Sequence, residues 1–128
     1  MTRPLSVLVM STPVGALGSG AVGGVEVTLR GIAAGLTARG HHVEVVAPRG
    51  SLPIGVPLHP VDGSEQMSMQ FVERSSVVDT PTNSFLVNMW RVVEERHAVF
   101  DVVLNLAYDD LPFRRAADLS RPVAHLVS

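Results

Sequence analysis

A chain of 128 residues that is 46% hydrophobic and 17% charged, with a formal net charge of −2, has the composition of one globular domain large enough to bury a core. Its ten basic residues are all arginine and are scattered, which excludes the concentrated basic footprint of a nucleic-acid binder. Cysteine is absent, which excludes disulfides, thiol chemistry and cysteine–zinc sites, and the five histidines (His41, His42, His59, His97, His125) lack HExxH spacing, so no metal site is expected.

The elements follow from apolar spacing and from glycine and proline. Leu5–Met10 is a near-continuous apolar run, the pattern of a strand covered on both faces of a parallel sheet. With Arg3 before it, the run resembles the start of a signal peptide. It breaks at Ser11, Thr12 and Pro13, too short for that role. No run approaches the roughly 18 apolar residues of a membrane span, so a cytoplasmic protein without a span is expected. Residues 12–23 form a glycine-rich loop. A helix from Gly24 to Arg39 places Val25, Leu29, Ile32, Ala33 and Leu36 on one face, with Glu26 in its first turn and Gly40 as a left-handed cap. Gly31 and Gly35, one turn apart, cost helix stability and are expected to admit a close neighbour. Val43–Ala47 is the second strand, stopped by Pro48.

Residues 49–82 are broken by Gly50, Pro53, Gly55, Pro57, Pro60 and Gly63. Leu58–Val61 reads as a short third strand, near an edge because it contains Pro60. Ser64–Thr82 is polar and serine-rich, and a mobile loop is expected there. A second helix spans Asn83 to Ala98, capped by Thr82 or Asn83, with Phe85, Leu86, Met89, Trp90 and Val93 as its buried stripe. Asp101–Leu106 is a fourth strand, Pro112–Leu119 a short helix and Pro122–Val127 a fifth strand. Strands alternating with helices predict an α/β fold, a Rossmann-like parallel sheet flanked by helices, with right-handed crossovers and strand order 3-2-1-4-5. In that order the fifth strand is an exposed edge, through which self-association is expected.

Gly15, Gly18, Gly20, Gly23 and Gly24 run into a helix N-terminus, the arrangement of a phosphate-binding loop. Small residues let backbone N–H groups approach an anion, and the helix dipole favours negative charge there. One reading is an NAD(P)-binding Rossmann oxidoreductase, since Gly18, Gly20 and Gly23 have the dinucleotide spacing and Glu44 follows at about 20 residues. Two details oppose it. Residues 11–17 separate Met10 from Gly18, where the fingerprint wants its first glycine in the turn after the strand. Glu44 also stands at the beginning of the second strand, whose far end carries Pro48 and Arg49.

The segment STPVGALGSGAVGGVEVTLRGIAAGLTARGHHVEVVAP resembles the N-terminus of the retaining glycosyltransferases of family 4, which pair two Rossmann-like domains in the GT-B fold. In that family an extended loop ending in Gly-Gly-hydrophobic-Glu leads into the first helix, and Gly-His closes it. Gly23, Gly24, Val25, Glu26, Gly40 and His41 match those positions. STPVGALGSG, GGVEVTL, NMW, NLAYDDLPF and PVAHLVS are similar to segments of a narrower bacterial group that moves glucose from UDP-glucose to tetrahydrobiopterin. Asp110 departs from the Trp of that group, which leaves the acceptor open. The resemblance implies that residues 1–128 are an N-terminal, acceptor-side domain, with a C-terminal donor domain absent and the isolated chain inactive. It implies no cofactor or metal, since the nucleotide-sugar, UDP-glucose, is a substrate. It implies donor-phosphate binding by Gly20, Gly23, Gly24 and the amide of Val25.

A pterin presents an amino group beside a ring N–H, which a carboxylate accepts together, and a bicycle on which an aromatic ring stacks. Tyr108, Asp109 and Asp110 follow the carboxyl end of the fourth strand, where open α/β sheets hold ligands, and Asn105 lies near that end. With Glu26 these are the acceptor-binding candidates. Each has a plainer reading: Glu26 complements the helix dipole, Asp109 and Asp110 cap the next helix as solvated turn residues, and Tyr108 is core. His125, inside an apolar strand, reads as a packed core histidine, with a catalytic role as the alternative. His41 and His42 read as surface residues and Trp90 as core. A third function class, a small non-enzymatic binding module, fits the same composition.

Overall fold

The computed structural model describes residues 3–20, 22–63, 84–107 and 110–126. Among them, strands β1 (Ser6–Met10), β2 (His42–Pro48), β3 (Leu58–Val61), β4 (Val102–Asn105) and β5 (Val123–His125) form one parallel sheet. Its order is β3-β2-β1-β4-β5. Helices α1 (Gly24–Ala38), α2 (Phe85–Arg96) and α3 (Asp110–Arg115) connect the strands, with 3₁₀ turns at His97–Val99 and Ala116–Asp118. The fold is the expected Rossmann-like α/β architecture. The expected loop at 64–82 lies outside the described residues.

The period-2 geometry of β1 divides the core between two faces. Val7 and Val9 join Val43, Val45 and Ala47 of β2 and pack against Leu29 and Ala33 of α1. Leu8 and Met10 join Val46, Val61 and Val103 and pack against Leu86, Met89, Trp90 and Val93 of α2. A fully buried side chain of this size contributes about 1.5–3 kcal/mol. Because β1 is covered on both sides, all but its first residue are buried, which is why its sequence is apolar without alternation. The chain leaves β1 toward β2, then crosses back from β3 to β4. α1 and α2 pack on opposite faces, as crossovers of one hand running in opposite directions require, and the switch falls between β1 and β4.

α1 ends in a Schellman cap. Gly40, at φ 89°, donates its N–H to the Thr37 carbonyl at 3.0 Å, and His41 N–H bonds the Leu36 carbonyl at 3.0 Å. His41 then turns its Nδ1 to accept from the Leu5 N–H at 2.9 Å, joining the helix end to the start of β1. The expected close approach at Gly31 and Gly35 is not present. Both glycines are exposed, and a Cβ built on either meets nothing within 4 Å among the described residues. They lie on the solvent side of α1, because the apolar face passes through Leu29, Ile32, Ala33 and Leu36. The start of α2 also differs from expectation. Its cap is Ser84, whose Oγ accepts from the Val87 N–H at 3.2 Å, whereas Thr82 and Asn83 lie outside the described residues. The helix stops at Arg96, and His97 continues as a 3₁₀ turn.

Candidate functional site at the carboxyl edge of the sheet

The ends of β1, β4 and β5 stand side by side. Met10 is in register with Asn105, and Asn105 with His125. Leu106 N–H bonds the Met10 carbonyl at 3.0 Å, and Leu126 N–H bonds the Asn105 carbonyl at 2.9 Å. Polar residues appear here as soon as the apolar strands end. Ser11, Thr12 and Asn105 are buried, at 0%, 4% and 1% exposure. The Ser11 N–H bonds the Val46 carbonyl at 2.9 Å, but its hydroxyl has no partner among the described residues. A buried polar group left unpaired costs about 1–3 kcal/mol, a cost that an incoming polar ligand would remove.

Asn105 is fully used. Its Oδ1 accepts from the Ala107 N–H at 2.9 Å, which fixes the amide orientation. Its Nδ2 therefore donates, to the Ala107 carbonyl at 3.2 Å and to His125 Nδ1 at 3.0 Å. His125 Nδ1 is then the acceptor, so the neutral ring carries its proton on Nε2. Burial holds the His125 pKa below the ordinary histidine value. Protonation would also set a second N–H against the Asn105 donor. Phe113 of α3 stacks on the His125 ring with centroids 4.3 Å apart and planes 27° apart, and it remains 45% exposed. His125 is thus half-buried, between the packed and the catalytic reading: held on one side, with its Nε2–H uncommitted among the described residues.

The glycine loop is docked through Leu17 and Gly18 rather than loose. Leu17 is fully buried, donates its N–H to Ser51 Oγ at 2.9 Å and accepts from the Leu52 N–H at 2.9 Å. Gly18 has φ 90°, and a Cβ there would lie 2.5 Å from Leu52 Cδ1, so both conformation and space require glycine. Gly20 and Gly23 also have positive φ, yet a Cβ on either meets nothing within 4 Å among the described residues. Their surroundings leave room for an approaching group. Among the described residues no side chain caps α1, whose N-cap is Gly23; the Glu26 N–H bonds the Gly23 carbonyl at 3.2 Å, and the Gly24 and Val25 amides have no side-chain oxygen to cap them.

Glu26 is committed within this loop. One carboxylate oxygen accepts from the Gly18 N–H and the other from Arg30 Nε at 3.3 Å. The Gly18 hydrogen bond, helped by Arg30 against some desolvation, lowers its pKa. Tyr108 and Asp109 lie outside the described residues, and Asp110 opens α3 with its side chain outside them. The structure therefore brings together Asn105 and His125, and separately Gly20, Gly23, Gly24, Val25 and Glu26. Ser11 and Phe113 were missed from sequence. A serine directly after an apolar strand is a signal for the first, while an aromatic in a short helix carries none.

Glu44 lies away from this edge. It is opposite Leu8, inside β2, and its two oxygens each meet an imidazole Nε2 at 2.6 Å, from His42 and His59. Burial works against its charge, but these two contacts outweigh it and lower the pKa. The dinucleotide reading needs this carboxylate at the other end of the strand. Among the described residues no three His, Asp or Glu side chains form a metal-binding group. No helix there is long and apolar enough to cross a membrane.

No protein family matches the sequence. No curated protein is significantly similar to it either. The geometry at the sheet edge therefore carries the functional reading.

Proposed function

We propose that the chain is the N-terminal, acceptor-side domain of a GT-B glycosyltransferase that moves glucose from UDP-glucose to a hydroxyl acceptor, a pterin such as tetrahydrobiopterin. The observation that carries this reading is the pairing of an uncapped α1 N-terminus behind Gly20 and Gly23 with the buried polar edge at Ser11, Thr12 and Asn105. The amides of Gly23, Gly24 and Val25 would face the donor diphosphate, and the helix dipole favours that charge. Ser11 would bond a donor or acceptor oxygen, and His125 Nε2–H would donate to a sugar or acceptor oxygen. Phe113, exposed and stacked on His125, offers an aromatic platform for a flat acceptor, the role assigned to Tyr108 from sequence. Glu26 shapes the loop through Gly18 in this reading, and Asp109 and Asp110 remain acceptor candidates by position.

Two features weigh against a nicotinamide cofactor. The described residues that follow Met10 form a loop docked through Leu17 rather than a tight turn, and Glu44 is engaged by two histidines. Calorimetric titration with UDP-glucose, NAD and a tetrahydropterin separates the readings. UDP-glucose and the pterin should each bind, with NAD at least about tenfold weaker than UDP-glucose. Binding of NAD without UDP-glucose would restore the oxidoreductase.

A further inference from the structure

A cavity open to solvent lies away from this edge. The carboxyl-terminal half of α2, with the 3₁₀ turn after it, and the segment from α3 to β5 border an open cavity of about 200 Å³, lined by Trp90, Glu94, His97, Arg115, Asp118 and Leu119, of which Glu94, Arg115 and Asp118 are solvent-exposed. Both walls lead into amino ends of strands, whereas the glycine loop follows a carboxyl end. His97 is a strut between the walls: its Nδ1 donates to the Glu94 carbonyl at 2.8 Å, and its Nε2 accepts from the Ser120 N–H at 3.3 Å. Arg121 adds a second tie through the Ala98 carbonyl at 3.1 Å.

The charged groups of the lining are not used by the fold. Among the described residues, the side chains of Glu94, Arg115 and Asp118 make no ion pair or hydrogen bond. Trp90 is 2% exposed, and its indole N–H is buried without a partner among the described residues. Among the described residues, one cavity is thus lined by two unpaired carboxylates, one unpaired guanidinium and the indole whose N–H lacks a partner.

We propose that this cavity is a binding site for a small zwitterion, a molecule of amino-acid size carrying an ammonium and a carboxylate. A simple anion would meet Glu94 and Asp118, and a simple cation would meet Arg115. A dipolar ligand satisfies both signs. Its carboxylate takes the Arg115 fork and supplies an acceptor to the Trp90 side, while its ammonium lies between Glu94 and Asp118. Leu119 and the indole cover its apolar part. Since about 150 Å³ holds a benzene ring, the space suits roughly six to ten non-hydrogen atoms.

Trp90 is the single tryptophan of the chain, so its fluorescence reports on the cavity directly. L-Leucine, L-glutamine and L-lysine are each titrated beside their α-amide, which lacks the carboxylate, and their Nα-acetyl form, which lacks the α-ammonium. At least one free amino acid should give a saturable change in Trp90 emission, with its blocked analogues at least about tenfold weaker. The change should vanish in Arg115→Ala and in the double variant Glu94→Gln, Asp118→Asn. Both should keep the native circular dichroism, since these side chains hold nothing else together. No saturable response from the three amino acids, an equal response to the blocked analogues, or persistence in Arg115→Ala would overturn the proposal.

Discussion

Asn105 decides the chemistry of its neighbour. As an amide anchored by Ala107 it can only donate to His125 Nδ1, and that fixes the Nε2–H tautomer. Imidazole ¹⁵N shifts should show this tautomer at neutral pH. Asn105→Asp replaces the donor with an acceptor, so the His125 pKa should rise and the ring should be protonated at mildly acid pH. An unchanged titration would mean that burial alone sets it. Glu26 gives a second test. Its pKa is lowered in the folded state, so its contribution is complete above the unfolded value and is lost as pH falls through the folded one. The Gly18 amide shift should therefore titrate with a midpoint below the ordinary glutamate value. A midpoint at or above it would contradict the contact.

α1 shows what spacing reveals and what it hides. Its apolar face and its Gly40 cap were legible, because one depends on helical period and the other on a backbone conformation that glycine favours. The purpose of Gly31 and Gly35 was not, because a glycine on a helix reads alike whether a neighbour approaches or solvent does. With open space at both, Gly31→Ala and Gly35→Ala should each stabilise the protein by about 0.5–1 kcal/mol in urea unfolding. Gly18→Ala should destabilise it by about 1–3 kcal/mol, through its positive φ and the Leu52 side chain. Destabilisation at Gly31 or Gly35 would show that something packs on that face. The cap of α2 was misplaced for a simpler reason. Thr82, Asn83 and Ser84 are three good capping residues in a row, and only geometry selects Ser84.

At the scale of the molecule, the sheet order was legible because strand patterns and crossover handedness leave few arrangements. That order alone locates the β1/β4 switch, and so Asn105. The docking of the glycine loop on residues 51–52 and the Phe113–His125 stack were not legible, since both join segments far apart in sequence. The β5 edge, unpaired on its outer side among the described residues, remains the proposed route of self-association. In the proposed function the loop behind Gly20 and the buried edge at Ser11 face one nucleotide-sugar. Backbone amide shifts of the ¹⁵N-labelled chain, followed through a UDP-glucose titration, test it most directly. Gly20, Gly23, Gly24, Val25 and Ser11 should move together along one saturation curve, and the same concentration of NAD should leave them in place. Shifts confined to other residues, or a stronger response of these five to NAD, would contradict it.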